Sequence, residues 1–565
     1  MIKTISKMGC CLVLLMLVHV QAMSQIEGPR AYAIVGAKIV TGPGTIIEKG
    51  NIILRDGLIQ AVGADAVVPA DAFLIEAEEG WTVYPAFIDA ATGTGLKAEK
   101  QDGAPDMGAM FARLMAGNNK ERKGAPHELE GIHPEHAVVD ELVIDESAIS
   151  KHRKMGFATA QVLPRKGLFR GNTAVINLRK GEHSELILSA HHAQTLAFET
   201  GMFFGGSYPS SRMGAVAAVR QAFLDASRLG VWQKRHSENP GIQRPHYQSS
   251  TQNLLDVIEG RRPLLFVADF HLGYERMAKI GAEFSVKPAM VLATGAERFV
   301  MDVVKELNAP ILLPLEFPKK PDWKDNEGLE DITLQDMQAY LNAPLLPQML
   351  DEAGIPYAFV TEGMESLSGF TKNLAKVVDQ GLSPDKALAA LTTTPAKLLG
   401  MQDVLGTLEP GKIANLFVVN GDLFVDKPKF HYLFVDGIHE KFEVKGGKGD
   451  PNATGDPVGT WEVATEVMGR SSESIWSISK EGDSFKGYSE SDSRGRVDFE
   501  AIDLSGNELT ITMPSPMGSS IELTAIIDGD KMEGETDIEV PQMGSSITIK
   551  IKGKRVDKNP KGGMQ

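Results

Sequence analysis

Val83-Tyr-Pro-Ala-Phe-Ile-Asp-Ala-Ala-Thr-Gly-Thr-Gly-Leu96 is the stretch from which the rest of the chain can be read. Its first half is an aromatic and β-branched run of strand length, and its second half is small residues and glycine. Asp89 is its one ionisable carboxyl. Beyond it, strand-length apolar runs alternate with helical periodicity, as a β/α barrel requires. Phe157–Leu163, Leu264–Ala268, Ala289–Leu292, Ile311–Leu315 and Tyr357–Val360 read as strands. Met213–Leu229, Arg298–Leu307, Leu334–Ala353 and Pro384–Leu399 read as helices. Residues 97–150 break this rhythm. They are rich in Gly, Lys, Glu, Pro and His, and fit an insertion on the ligand-binding rim as well as a solvated excursion.

Working outward, Tyr32–Val40, Gly50–Arg55, Leu58–Val62 and Phe73–Glu76 are short β runs, punctuated by Gly42-Pro43-Gly44 and Asp56-Gly57. A second β region follows the barrel at Leu405-Gly-Thr-Leu-Glu-Pro-Gly-Lys-Ile-Ala-Asn-Leu-Phe-Val-Val-Asn-Gly-Asp422. Lys445–Val458 has a linker's composition. Residues 459–560 then alternate polar and apolar, with turns expected at Ser505-Gly506-Asn507, Asp528-Gly529-Asp530 and Glu533-Gly534. Met517-Gly-Ser-Ser-Ile521 recurs as Met543-Gly-Ser-Ser-Ile547. This texture predicts a small antiparallel β-barrel, with a disordered tail over Lys558–Gln565.

The chain has 565 residues, 42% hydrophobic and 23% charged, an ordinary globular composition. A mean hydropathy of −0.12 excludes a multispanning membrane protein. The net charge of −16 argues against nucleic acid as a partner. Lys3, Lys7, the apolar run Cys10–Val18 and Ala22-Met23-Ser24 form a secretory signal, expected to be cleaved after residue 24. Its removal takes both cysteines, Cys10 and Cys11, and leaves no disulfide and no Cys nucleophile. The expectation is an exported protein, periplasmic or secreted, with no integral membrane segment once the signal is gone.

Pro85, Phe87, Ile88 and Asp89 match the first barrel strand of the amidohydrolase superfamily, usually Pro-Gly-Phe-Ile-Asp-x-His-x-His. Asn51–Gly63 resembles that superfamily's N-terminal β-sandwich. Leu391-Thr-Thr-Thr-Pro-Ala-Lys-Leu-Leu-Gly400 resembles its last barrel helix, and Leu405–Asp422 the returning half of the sandwich. The resemblance covers residues 31–440 and implies an α/β fold, a (β/α)8 TIM-like barrel with a composite N- and C-terminal β-sandwich. The expected layout is a signal over 1–24, sandwich over 25–82, barrel over 83–404 with its 97–150 insertion, sandwich again over 405–444, a linker over 445–458 and the small β-barrel domain over 459–565. Gly459-Thr460-Trp461 opens that last domain as in lipocalin-like barrels.

By resemblance, the activity is hydrolysis of non-peptide carbon–nitrogen bonds, in the imidazolonepropionase-like or dipeptidase-like branch. The family activates water on zinc or another divalent ion, held by paired histidines after strand one, a lysine or acid after strand four, histidines after strands five and six, and an aspartate after strand eight. Here the histidine positions fall on Ala91, Gly93, Val267 and Ala293, none of which carries a ligating lone pair. No metal cofactor is therefore expected, and the competing reading is a non-catalytic protein that binds a small molecule or a partner on the same scaffold. Strand eight offers Glu362 in the aspartate's place, as the candidate base. Arg170, in Pro164-Arg-Lys-Gly-Leu-Phe-Arg-Gly171, and Asp269 are the candidate ligand-binding residues. Ser210 or Ser211 is placed to cap a helix. The histidines that could still hold a metal are His127, His133, His136, His191, His192 and His271. His133 and His136 have helical i, i+3 spacing, and His271 reads as a rim or helix-start residue. Substrate and oligomeric state are not written in the sequence.

Overall fold

Strands separated by more than 300 residues join in one sheet, and the join explains why the β region after the barrel is needed. In the computed structural model, Leu416–Asn420 pairs antiparallel with Trp81–Pro85, and Trp81–Pro85 pairs parallel with Ala31–Gly42. The eight-stranded order is Ile438–Lys441, Lys429–Val435, Leu416–Asn420, Trp81–Pro85, Ala31–Gly42, Thr45–Arg55, Leu58–Gly63, with Phe73–Glu76 also on Ala31–Gly42. Thus the two expected sandwich halves are hydrogen-bonded into a single sheet. Ile34, Ile52, Leu54, Val83, Leu416, Val418 and Phe434 alternate onto its buried face. Asp56 takes φ 50° and Gly57 φ 82°, the tight hairpin turn that Asp-Gly favours.

The described residues are 31–96, 127–129, 131–200, 209–268, 271–295, 297, 301–318, 333–364, 367–425, 428–442 and, with short gaps at 468–469, 482–483, 492–494, 515–519 and 541–544, 455–558. The signal, residues 97–126 of the insertion, Asp269, the linker core and the tail beyond Lys558 lie outside them, as does half of the Met-Gly-Ser-Ser-Ile repeat. Among the described residues no helix is long and apolar enough to cross a membrane. The chain divides into two compact units, ending and beginning at Phe442 and Glu443.

The first unit carries a barrel of eight wall positions. Strand one is Phe87–Thr92, strand two Phe157–Val162, strand five Leu264–Val267, strand six Met290–Leu292, strand seven Ile311–Pro314 and strand eight Tyr357–Val360. Positions three and four depart from a uniform (β/α)8 ring. Phe169–Asn172 and Ala174–Asn177 form one descending pass, antiparallel to strand two on one side and to Gln194–Ala197 and Ile187–Ser189 on the other. Gln194–Ala197 then resumes the parallel order beside strand five. Strand three is thus reversed. Because it is reversed, strands two and three connect through a hairpin at the barrel mouth, residues 163–168, and not through a crossover helix.

Several boundaries differ from expectation for local reasons. Ser211 accepts a hydrogen bond from the Gly214 amide and starts a helix that continues to Glu238, well past Leu229. The stretch 334–353 breaks at Asn342 before Pro344, where a short 3-10 turn intervenes. The stretch 384–399 breaks at Thr392, whose hydroxyl bonds back to the Leu388 carbonyl at 2.6 Å. The described end of the 97–150 insertion is not a solvated excursion. Ile132, Val138 and Ile149 are fully buried, the Leu168 amide donates to the Gly131 carbonyl and the His133 amide to the Phe169 carbonyl. Its last residues begin the helix Glu146–Arg153, capped by Asp145, which belongs to the barrel wall.

The second unit is a nine-stranded antiparallel curled sheet, running in order outward from Gly459–Val467, which pairs with both Arg470–Glu481 and the final strand Ser545–Asp557. The two outermost strands, Gly495–Asp498 and Ala501–Ser505, are consecutive parts of one chain pass. The Phe499 amide bonds to Gly487 and the Glu500 amide to Thr512, so this pass touches both edges of the sheet. Trp461, Trp476, Leu509, Ile511 and Met532 fill the inner face, and the Arg555 guanidinium lies 4.4 Å over the Trp461 ring. Glu533-Gly534 is not a turn but lies inside Lys531–Val540. Gly534 is required there by a close approach, since a Cβ would fall 2.1 Å from the Thr524 carbonyl oxygen. Gly534→Ala is expected to destabilise this unit by about 1–3 kcal/mol, read by denaturant melting of the full chain.

Candidate active site at the barrel mouth

Strands eight and one meet without a regular ladder, and polar side chains hold them together. Asp89 is wholly buried. Its Oδ1 accepts from the Thr361 amide at 3.1 Å and the Ala91 amide at 3.3 Å, and its Oδ2 accepts from the Thr361 hydroxyl at 2.5 Å. The Glu362 amide donates to the Ala91 carbonyl at 3.0 Å. His152, on Glu146–Arg153 and 1% exposed, brings Nε2 to 3.5 Å from Asp89 Oδ2, 3.2 Å from the Thr361 hydroxyl and 3.2 Å from the Thr94 hydroxyl. Asp89 and both threonines approach the same ring nitrogen. The Thr94 hydroxyl also lies 3.4 Å from Nδ1, where the Ala148 carbonyl stands too, so the ring is held from both nitrogens and the cluster works as a joint between the helix and the two strands.

Above the joint stand Arg165 and Glu362. Arg165, exposed at the tip of the reversed-strand hairpin, donates from Nη2 to the Gly93 carbonyl at 3.2 Å. A Cβ placed on Gly93 would lie 2.9 Å from that nitrogen and 3.3 Å from Glu362 Oε2. The absent side chain at position 93 is therefore what lets the guanidinium and the carboxylate approach. Burial pushes the Glu362 carboxyl above its ordinary value, and the Asp89 charge pushes the same way, while Arg165, Arg170 and the Gly93 amide pull it back. Arg170 is engaged elsewhere. It donates to Glu199 Oε2 at 3.2 Å, and that oxygen also accepts from the Gly167 amide at 3.0 Å. Glu199 stands just past strand four, where the family has a lysine or acid. Sequence reasoning misses it, because strand four is too short to give a periodic signal. His152 is equally hidden, as a lone histidine in a helical stretch.

Among the described residues, the histidines considered as metal ligands form no common site. His127 Nδ1 accepts from the Leu129 amide at 3.0 Å, and His136 lies 3.6 Å from Glu141. His133 and His136 sit in a turn, not on a helix. His271 begins the helix His271–Phe284. Burial lowers the pKa of His192. Among the described residues no three of His, Cys, Asp and Glu stand close enough to hold an ion. Ala91, Gly93, Val267 and Ala293 supply no donor atom, and a guanidinium stands beside Gly93. This donor set does not fit a divalent ion. Beneath it Leu163, Leu292 and Val360, all buried, belong to the barrel's apolar interior.

Two expected outcomes follow from this geometry. Asp89→Ala leaves the Thr361 and Ala91 amides without their acceptor and should cost about 3 kcal/mol or more in a denaturant melt. For Glu362, the unfolded chain loses its proton at the ordinary value of 4.5, and the folded chain loses it higher. The group therefore subtracts stability as pH rises through that interval. Glu362→Gln should raise Tm relative to the parent at neutral pH and leave it unchanged well below pH 4.5, measured by calorimetry across pH.

Comparison with known proteins agrees with the barrel's construction. The amidohydrolase family model matches residues 295–446. An amidohydrolase from Thermotoga maritima MSB8 superposes with a TM-score of 0.57 at 20% identity, over 72% of this chain and 99% of that one. A Xaa-Pro dipeptidase with bound methionine (17% identity, 73% and 100% covered, TM-score 0.44) and a putative prolidase from Bifidobacterium longum (17%, 73% and 95%, 0.43) are more distant and add nothing to the assignment. No curated protein matches the sequence. The family model thus matches residues 295–446 of this chain, and the fold around that segment is the one the Thermotoga maritima amidohydrolase has.

Proposed function

We propose that the barrel mouth binds a small carboxylate-bearing molecule on Arg165 without a divalent ion, and that the protein is an exported ligand-binding relative of the amidohydrolases. The observation that carries this reading is the Arg165 guanidinium beside Gly93, where the family's second histidine would begin. Arginine offers a planar fork of donors that matches a carboxylate. It keeps a positive charge at the mouth but supplies no Lewis acid, so it does not generate hydroxide from water at neutral pH. Arg170, held by Glu199, shapes the wall behind it. Asp269 remains a candidate contact outside the described residues. A lipocalin-like role for the second unit would add a further binding module.

Hydrolysis of a non-peptide carbon–nitrogen bond is the second reading, favoured by Glu362. A carboxyl raised by burial is what a general acid–base group needs. In that case Glu362 would move the proton and Arg165 would stabilise the developing oxyanion.

The test has two arms. Elemental analysis of the mature protein after dialysis should find no stoichiometric zinc, manganese or iron, and chelator should leave Tm unchanged, because a bound ion would stabilise by mass action. Stoichiometric metal lost with a fall in Tm would overturn the reading. Titration calorimetry with a panel of small carboxylates and N-acyl amino acids should then find a binder. Arg165→Ala should weaken it by about tenfold to a hundredfold, the loss of a charge-assisted hydrogen bond. Turnover of an N-acyl amino acid, abolished in Glu362→Gln, would favour the second reading.

A further inference from the structure

The reversed strand carries a polar face into the barrel that neither the mouth nor the joint uses. Thr159 and Gln161 on strand two, Thr173 and Asn177 on the reversed pass and Thr195 on strand four are all fully buried. Val175, opposite Gln161, and Leu265, opposite Thr195, belong to the interior cluster with Ile88, Leu312 and Ala358, which places this polar face inside the ring.

Part of it is satisfied. The Thr159 hydroxyl and the Asn415 amide both donate to Asn177 Oδ1, at 3.0 and 3.2 Å. Gln161 Nε2 donates to the Thr173 hydroxyl oxygen at 2.8 Å, which also accepts from the Ala193 amide at 3.0 Å. Three atoms are left over. Gln161 Oε1, Asn177 Nδ2 and Thr195 Oγ1 are buried with no partner among the described residues. Two donors fix the Asn177 amide's orientation, so its orphan is a donor, whereas Gln161 leaves an acceptor and Thr195 a hydroxyl able to do both.

We propose that this face binds ordered water, with separate waters completing Gln161 Oε1, Asn177 Nδ2 and Thr195 Oγ1 at their different levels inside the barrel. The partners are uncharged and mix donors with acceptors, which suits water and not an ion. Buried Leu163 and Leu292 lie at the mouth end of the interior, and Asn415 enters from the opposite end, where its carbonyl accepts from the Ala86 amide at the start of strand one. Site and ligand are independent of what the mouth binds.

The sign of one substitution tests it. Thr195→Val keeps the shape and removes the hydroxyl. In a hydrated site it strips a partner from the water, and Tm of the full chain should fall by about 2–4 °C, with Thr195→Ser, which keeps the hydroxyl, losing less. In a dry interior the same change deletes an orphaned hydroxyl, and Tm should hold or rise. A high-resolution crystal structure should show an ordered water within hydrogen-bond distance of Thr195 Oγ1 and another at Gln161 Oε1 or Asn177 Nδ2. An interior without such density, or a Thr195→Val protein at least as stable as the parent, would overturn the proposal.

Discussion

One buried carboxylate carries most of the seam that closes this barrel. Strands eight and one share no ladder and a single backbone bond, Glu362 amide to Ala91 carbonyl, so most of that seam is held by Asp89, which takes both hydrogen-bonding groups of Thr361 and the Ala91 amide. A buried carboxylate is costly unless each oxygen is satisfied, and here both are. His152 extends the joint to the helix Glu146–Arg153 through Thr94 and Thr361. Everything at the mouth depends on this joint. Glu362 follows Thr361 directly, and Gly93 follows the strand that Asp89 anchors.

The reversed third strand is the second constraint, and it works at both ends of the ring. At the top it replaces a helical crossover with a short hairpin, whose tip is Arg165. Inside, an antiparallel pass sets Asn177 against Thr159 and Val175 against Gln161. Polar side chains thus share an interior that parallel barrels usually fill with branched apolar ones. One topological change therefore accounts for the cation at the mouth and for the unsatisfied amides below it.

Much of the scaffold is legible in the sequence, because it is written in periodicity and turn chemistry. Five barrel strands and the returning β segment stand where their apolar runs place them, and Glu362 follows strand eight as its run predicts. The reversed strand is not legible. Phe169–Asn177 is short, and its direction is set by tertiary pairing, not by residue type. Without it, strand four and Glu199 have no place in the count. His152 is hidden for another reason: one histidine on a helix carries no spacing signal, and only the fold brings Thr92, Thr94, Thr361 and Asp89 around it. Gly534 reads as a turn residue because glycine is common in turns, yet it serves a strand too close to its neighbour for any side chain.

Under the proposed reading the mouth keeps a positive charge, as the site it resembles does, and changes the chemistry that carries it. Where the family would place a divalent ion between histidines, this chain places a guanidinium beside a glycine and an apolar floor beneath. Both arrangements attract an anion. Only the metal lowers the pKa of water enough to make hydroxide at neutral pH. A guanidinium fork binds a carboxylate through directed hydrogen bonds and holds it in one orientation. Under the proposed reading a ligand would be held without a metal-bound nucleophile, and Gly93 is the residue on which that arrangement turns, because any side chain there would push Arg165 and Glu362 apart.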